Sequence, residues 1–132
     1  MALGAKLGRP ELQTVVMAGD GGIQVNLGEL GTAVQEKIDV VVVLFNDGGY
    51  GVLRNIQDRA YEGRHIGVDL QGLNFAKLCE AYGIDHYPVT SVKMFRPAIE
   101  NALASGRLSL VEVMMEAVGP FRIPFSGYAF NK

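Results

Sequence analysis

Two short apolar runs, each followed by a glycine-rich polar segment, dominate the pattern of hydrophobic and polar positions along the chain. The first run is Thr14-Val15-Val16-Met17-Ala18, and the second is Val40–Phe45. Both are unbroken and rich in β-branched residues, which is typical of strands that are buried on both faces of a parallel sheet. We therefore predict strands over 13–18 and 40–46, followed by Gly19-Asp20-Gly21 and by Asn46-Asp47 respectively.

The rest of the pattern alternates helices with strands. Residues 2–8 are predicted to end a helix, and 117–132 to form a C-terminal tail without periodicity. Further helices are predicted over 25–37, 51–58, 75–82 and 97–105, an irregular loop over 59–72, and strands over 89–92 and 108–113. This alternation predicts an α/β fold with three α/β/α layers around a mainly parallel, doubly wound sheet.

Length, charge and cysteine content limit the function classes. A chain of 132 residues is predicted to form a single domain over 1–132. Because the net charge is −2 and no basic run is present, we expect no nucleic-acid partner. The longest apolar run is too short to span a membrane, so we expect no membrane partner. One cysteine excludes an internal disulfide and no secretory leader is visible, so we expect a cytoplasmic protein.

An aspartate follows each of the first two predicted strands. Ligands of open α/β sheets collect at the carboxyl edge, where both aspartates are expected to lie. A carboxylate flanked by glycines suggests a diphosphate that is held through a divalent metal, and Asp20 suits Mg²⁺ as a hard oxygen ligand. The alternative is that Asp20 is only a turn residue, and this alternative is stronger for Asp47, because Asn-Asp-Gly-Gly is itself a good turn sequence.

The spacing of the two aspartate motifs resembles that of the thiamine-diphosphate-dependent enzymes. Their cofactor motif is Gly-Asp-Gly, about two dozen residues and then Asn-Asn. Here 24 residues separate Gly21 from Asn46, and Asp47 stands in place of the second asparagine. The likeness continues through 26–34 and 48–54, where it is similar to the branch that contains acetolactate synthase and benzoylformate decarboxylase.

The resemblance implies a diphosphate-binding domain of an enzyme that acts on a 2-oxo acid, as a decarboxylase or as an acetolactate-synthase-type carboligase. It implies Mg²⁺ ligands at Asp20, Asp47 and the backbone carbonyl of Gly49. It implies that thiamine diphosphate is bound by Gly19, Asp20, Gly21, Gly22, Asp47, Gly49 and Tyr50, with packing as an alternative role for Tyr50. Because Asp47 adds a negative charge, we expect cofactor and metal binding to depend on each other more than with asparagine.

The resembling family carries two further domains, and one of them binds the aminopyrimidine ring and holds the activating glutamate. We therefore expect this chain to be truncated at its N-terminus, assign it no catalytic residue, and expect it to be inactive alone. A pyrimidine-binding domain or subunit is the expected partner, and a homo-oligomer is the expected assembly.

Other candidate residues and functions are less informative. We interpret His65 as a surface residue, His86 as structural, Cys79 as a buried small hydrophobe, and Val52 and Leu53 as core. Two alternative functions stay open. One is a non-catalytic truncated module or assembly subunit without cofactor turnover. The other is a phosphoacceptor receiver domain, although Asp20 has no acidic neighbour and no lysine follows the last predicted strand.

Overall fold

The computed structural model describes residues 1–119, in which four strands form one sheet in the order β1-β2-β4-β3. The strands are β1 (Val15–Gly19), β2 (Val41–Asn46), β3 (Asp85–Val89) and β4 (Ser109–Met114), and every neighbouring pair is parallel. The helices are α1 (Ala2–Gly8), α2 (Asp20–Ile23), α3 (Gly28–Gln35), α4 (Gly51–Ala60), α5 (Phe75–Tyr82), α6 (Val92–Ala104) and α7 (Met115–Val118), with a 3₁₀ turn at Gln24–Asn26.

The central strand β2 supplies side chains to two hydrophobic cores. Val42 and Leu44 face a cluster formed with α3 and α5, while Val41 and Val43 face a cluster formed with α6. Leu44 has no exposed surface, and burying a side chain of this size stabilises the fold by about 1.5–3 kcal/mol. Because helices cover both faces, the predicted three-layer, doubly wound α/β architecture is confirmed.

The third strand lies earlier in the chain than predicted. It covers Asp85–Val89, where the sequence predicts a strand only from residue 89. The prediction was wrong because Pro88, which lacks an N–H group, argues against a strand interior. Among the described strands β3 lies at the edge of the sheet, with β4 as its neighbour, so the missing donor of Pro88 breaks no ladder on the open side.

Helix α6 begins five residues before the predicted start at Pro97, at Val92. Proline removes one hydrogen bond from a helix interior, which is why the sequence places it in a first turn. The helix nevertheless continues through Pro97, because Ala98 and Ala102, four residues apart, are both buried against the sheet.

Helix α5 agrees with the prediction at both ends. The Oδ1 atom of Asn74 accepts a hydrogen bond from the Lys77 N–H (2.9 Å), which caps the first turn. Gly83 ends the helix in the left-handed region at φ 70°. Within residues 1–119, no helix is long and apolar enough to cross a membrane. The predicted tail over 117–132 lies outside the described residues from position 120 onward.

Candidate functional site

Asp20 is the first residue after β1 and the first residue of α2, a short helix that the sequence did not predict, while the helix predicted over 25–37 is the shorter α3. Its side chain is buried, with 1% of the residue exposed, and its Oδ2 atom has no hydrogen-bond partner. A buried polar atom without a partner costs about 1–3 kcal/mol, and native proteins leave few of them. This orphaned oxygen indicates a place for a ligand that the protein itself does not supply.

Asp47 follows β2, and the parallel register of Gly19 with Phe45 brings the ends of β1 and β2 side by side. Although Asp47 is exposed as a whole residue, its carboxyl group lies close enough to that of Asp20 to hydrogen-bond with it when protonated. Partial burial, the Asp20 charge and that hydrogen bond raise the pKa of Asp47, while Arg54 and the Gly49 amide act in the opposite direction. The fold therefore brings together the two carboxyl groups that the sequence singled out.

Glycines surround the two carboxyl groups because side chains would not fit there. A Cβ atom on Gly51 would collide with the Asp47 carboxylate, and one on Gly21 would lie 2.6 Å from a ring carbon of Tyr50. At Gly49 it would collide with the carbonyl of Val68. Gly22 differs, since a Cβ atom there would meet nothing within 4 Å. The glycines at 21, 49 and 51 thus permit the close approach of Asp47 and Tyr50 to the end of β1.

The turn that contains Gly49 is held by a segment that the sequence predicted only as irregular loop. The Tyr50 N–H donates to the Val68 carbonyl (2.8 Å), and the Leu70 N–H donates to the Gly48 carbonyl (3.3 Å). This antiparallel bridge pairs Gly49 with Asp69 without using the carbonyl of Gly49 itself. Alongside it, Arg54 donates to Oδ1 of Asp69 from Nη2 (2.8 Å) and Nε (3.0 Å).

A buried polar network lies on the other side of the same turn. Glu112, which is 6% exposed, accepts hydrogen bonds from Asn46 Nδ2 (2.7 Å) and from His86 Nε2 (2.8 Å). The His86 hydrogen bond, with help from Asn46, holds the pKa of Glu112 below its usual value against the effect of burial. Glu112 was not predicted as a functional residue, although it is the one charged residue in the apolar run 108–113, which is a signal visible in the sequence.

A cavity of about 400 Å³ opens at this carboxyl edge of the sheet. Its lining contains all seven of the predicted cofactor-binding residues, Gly19, Asp20, Gly21, Gly22, Asp47, Gly49 and Tyr50. Val52 and Leu53 also line it and are 45% and 48% exposed, so the interpretation of these two as core residues was wrong. Both residues lie on the first turn of α4, and this turn lines the cavity.

The remaining candidates lie away from the cavity. His65 pairs with Asp58 at the surface (Nε2 to Oδ1, 2.6 Å). Cys79 is fully buried, and burial together with the Glu112 charge raises the pKa of its thiol to about 11. Among residues 1–119 there is no cluster of three or more histidine, cysteine or acidic side chains that could hold a metal. Two carboxylates with a nearby carbonyl fit a hard cation such as Mg²⁺, whose other ligands are phosphate oxygens and water.

Comparison with known proteins agrees with this geometry. Residues 1–113 match the sequence model of a family described as thiamine pyrophosphate enzyme, C-terminal TPP binding domain. The acetolactate synthase isozyme 3 large subunit of Escherichia coli is 36% identical, over 96% of this chain and 23% of that protein. The benzoylformate decarboxylase of Pseudomonas aeruginosa is 29% identical, over 90% of this chain and 22% of that protein.

A solved structure has the same fold. The thiamine diphosphate-dependent 4-hydroxybenzoylformate decarboxylase of Rhodococcus jostii superimposes with a TM-score of 0.78 and 35% identity, over 86% of this chain and 21% of that one. The chain thus spans about a fifth of the length of these relatives. The match to this family removes the receiver-domain alternative. The chain belongs to the thiamine pyrophosphate enzymes and contains their C-terminal, TPP-binding domain.

Proposed function

We propose that this domain holds the diphosphate of its cofactor through a divalent cation, Mg²⁺, bound by Asp20, Asp47 and the carbonyl of Gly49. The observation that carries the proposal is the buried, unpaired Oδ2 atom of Asp20 beside the carboxyl group of Asp47. Two carboxylates this close repel each other, and a dication between them would satisfy the orphaned oxygen and remove the repulsion.

The backbone around the two carboxylates supports the same role. The bridge between Gly49 and Asp69 leaves the Gly49 carbonyl free of the ladder, so it can serve as a third protein ligand. Gly21 and Gly22 lie in the first turn of α2, where backbone N–H groups have no helical acceptor and can donate to phosphate oxygens. Gly19 and Tyr50 complete the cofactor-binding set, with the Tyr50 ring resting on Gly21.

Thiamine diphosphate supplies an electron sink that allows a 2-oxo acid to lose CO₂. This chain's contribution is to fix the position of the diphosphate and to neutralise its charge. We propose that the complete enzyme is a 2-oxo-acid decarboxylase or an acetolactate-synthase-type carboligase. No catalytic residue is assigned to this chain, and we expect the isolated chain to turn over neither pyruvate nor benzoylformate.

We further propose that a pyrimidine-binding domain or subunit covers the cavity, in a homo-oligomeric assembly. Met17, Val52 and Leu53 support this, because they are apolar, line the cavity and are between 45% and 74% exposed. Apolar side chains grouped around a ligand cavity are typical of a surface that another domain covers. The 2-oxo acid substrate and the cytoplasmic location stay predictions from the sequence.

Calorimetric titration of the 132-residue chain with thiamine diphosphate, with and without Mg²⁺, tests the proposal. We expect binding that requires Mg²⁺ and is abolished in Asp20→Asn. Asp58→Asn is the matched control, because it makes the same change at an exposed position paired only with His65. Binding that is independent of Mg²⁺ would contradict the role of the cation. The absence of heat at millimolar ligand would favour a module that does not use the cofactor.

A further inference from the structure

Three polar side chains on neighbouring strands connect the cofactor turn to the far edge of the sheet. Asn46 ends β2, Glu112 lies in β4, and His86 lies in β3. The strand register places Glu112 opposite Leu44 and Pro88, so His86 lies two residues before that level and Asn46 two residues after it. The three side chains therefore share one face of the sheet and form a diagonal line that runs toward its carboxyl edge.

Hydrogen-bonding capacity fixes the orientation of each member. A carboxylate only accepts hydrogen bonds, so His86 Nε2 and Asn46 Nδ2 must both be donors to Glu112. With its Nδ2 committed to Glu112, Asn46 turns its Oδ1 atom the other way, where it accepts from the Gly48 N–H (3.3 Å). Each carboxylate oxygen of Glu112 thus accepts one of these hydrogen bonds. The Asn46 amide connects Glu112 to the backbone of the turn that follows β2.

The backbone that receives this last bond is the one that presents the cation ligands. Gly48 lies between Asp47 and Gly49, the two ligands that this turn is proposed to supply. The bridge to Val68 and Leu70 holds the same turn from the opposite side. We propose, on the basis of the function proposed above, that Glu112 is a positioning residue that fixes Asn46 and thereby the cation-binding turn, and that His86 orients Glu112.

A purely structural role is the competing explanation, since any buried carboxylate has to be paired. The chain offers a matched control in the buried Lys6, whose Nζ atom lies 2.9 Å from Oδ2 of Asp39. Asp39 comes just before β2, at the amino edge of the sheet, whereas the cation turn follows β2 at the carboxyl edge. Asp39→Asn therefore weakens a partly buried polar contact without touching the turn.

The experiment measures Mn²⁺ affinity by electron paramagnetic resonance at saturating thiamine diphosphate, together with urea unfolding of the same proteins. Removal of a group that orients a metal ligand typically weakens metal binding by about 10–100-fold, and we expect Glu112→Ala to do so. Glu112→Gln should stay close to the wild type, because its Oε1 and Nε2 atoms preserve a neutral network once His86 changes tautomer. Asp39→Asn should lose stability while its Mn²⁺ affinity stays unchanged.

A wild-type Mn²⁺ affinity in Glu112→Ala overturns the inference and leaves the proposed function standing. An Mn²⁺ affinity of Asp39→Asn that falls in proportion to its stability also overturns the inference and leaves the proposed function standing. If Glu112→Ala does not fold, His86→Phe takes its place, since it removes one donor at an edge strand and should weaken Mn²⁺ binding without abolishing it. A wild-type chain that binds no Mn²⁺ overturns the proposed function and this inference together.

Discussion

Asp20 should make the ligand-free protein less stable than it could be. Its Oδ2 atom is buried without a partner, and its carboxyl group lies beside that of Asp47. Asp20→Asn keeps the size of the side chain, removes one of two neighbouring charges, and gives position 20 an amide that can donate to Asp47. We therefore expect the ligand-free variant to be more stable than the wild type.

The magnitude follows from the cost of an unsatisfied buried polar group, about 1–3 kcal/mol. For a chain of 132 residues, this gain in stability corresponds to a rise in melting temperature of about 3–10 °C. When ligand is added, the wild type should become more stable than Asp20→Asn. Thiamine diphosphate and Mg²⁺ at 1,000 times the dissociation constant should stabilise the wild type by about 4.1 kcal/mol, and the variant by close to nothing.

Urea unfolding in EDTA, and then in Mg²⁺ with thiamine diphosphate, measures both effects on one pair of proteins. Asp58→Asn is again the control, and it should change stability little, because surface ion pairs contribute about 0–1 kcal/mol. The reasoning is refuted if ligand-free Asp20→Asn is less stable than the wild type. It is also refuted if the variant gains as much stability from the ligands as the wild type does.

Three further predictions concern the same site and its surroundings. Because the pKa of Asp47 is raised above 3.8, protonation of Asp47 should begin to weaken Mn²⁺ binding at a higher pH than protonation of an ordinary aspartate. Asp47→Asn should therefore make the Mn²⁺ affinity depend less on pH. An equally steep dependence of affinity on pH in the variant would contradict this. Gly51→Ala should displace the Asp47 carboxylate and weaken Mn²⁺ binding about tenfold or more, whereas Gly28→Ala, which has open space and lies outside the cavity lining, should not. The thiol of Cys79 should react with Ellman's reagent at pH 8 only after unfolding, since it is fully buried and its pKa is about 11; rapid reaction of the folded protein would show that the helix α5 opens.

The strands and helices that bury a continuous apolar stripe could be predicted from the sequence. Strand β2 and helix α5 lie where their patterns placed them, because burial on both faces leaves an unbroken apolar run and burial on one face leaves a helical periodicity. Strand β3 and the start of α6 were misplaced because Pro88 and Pro97 carry strong local preferences. Both preferences were outweighed by tertiary context, an edge position for one and a buried helix face for the other.

The residues of the candidate site also divide into those that could be predicted from the sequence and those that could not. Asp20 and Asp47 could be found because each follows a buried strand, and neighbouring parallel strands end at the same edge. The bridge by which Val68, Asp69 and Leu70 hold the turn at Gly49 could not be predicted, because a two-residue bridge inside an irregular loop has no periodicity. Val52 and Leu53 were misjudged because an aliphatic residue in the sequence looks the same whether it lies in a core or at the rim of an open cavity.

The hydrogen bond between Asn46 and Glu112 connects the motif to a distant part of the sequence. The two residues are 66 positions apart in sequence, and their side chains are joined at 2.7 Å because β4 lies between β2 and β3 in the sheet. A parallel sheet brings the side chains of distant segments side by side, so a group on β4 can contact the residue that precedes the turn after β2. If the motif alone determined cation affinity, substitutions in β3 and β4 would alter stability without altering affinity. Under the positioning role proposed for Glu112, substitution of Glu112 lowers the cation affinity, whereas substitution of Asp39 lowers the stability alone. The strand order would then be part of the proposed cation site.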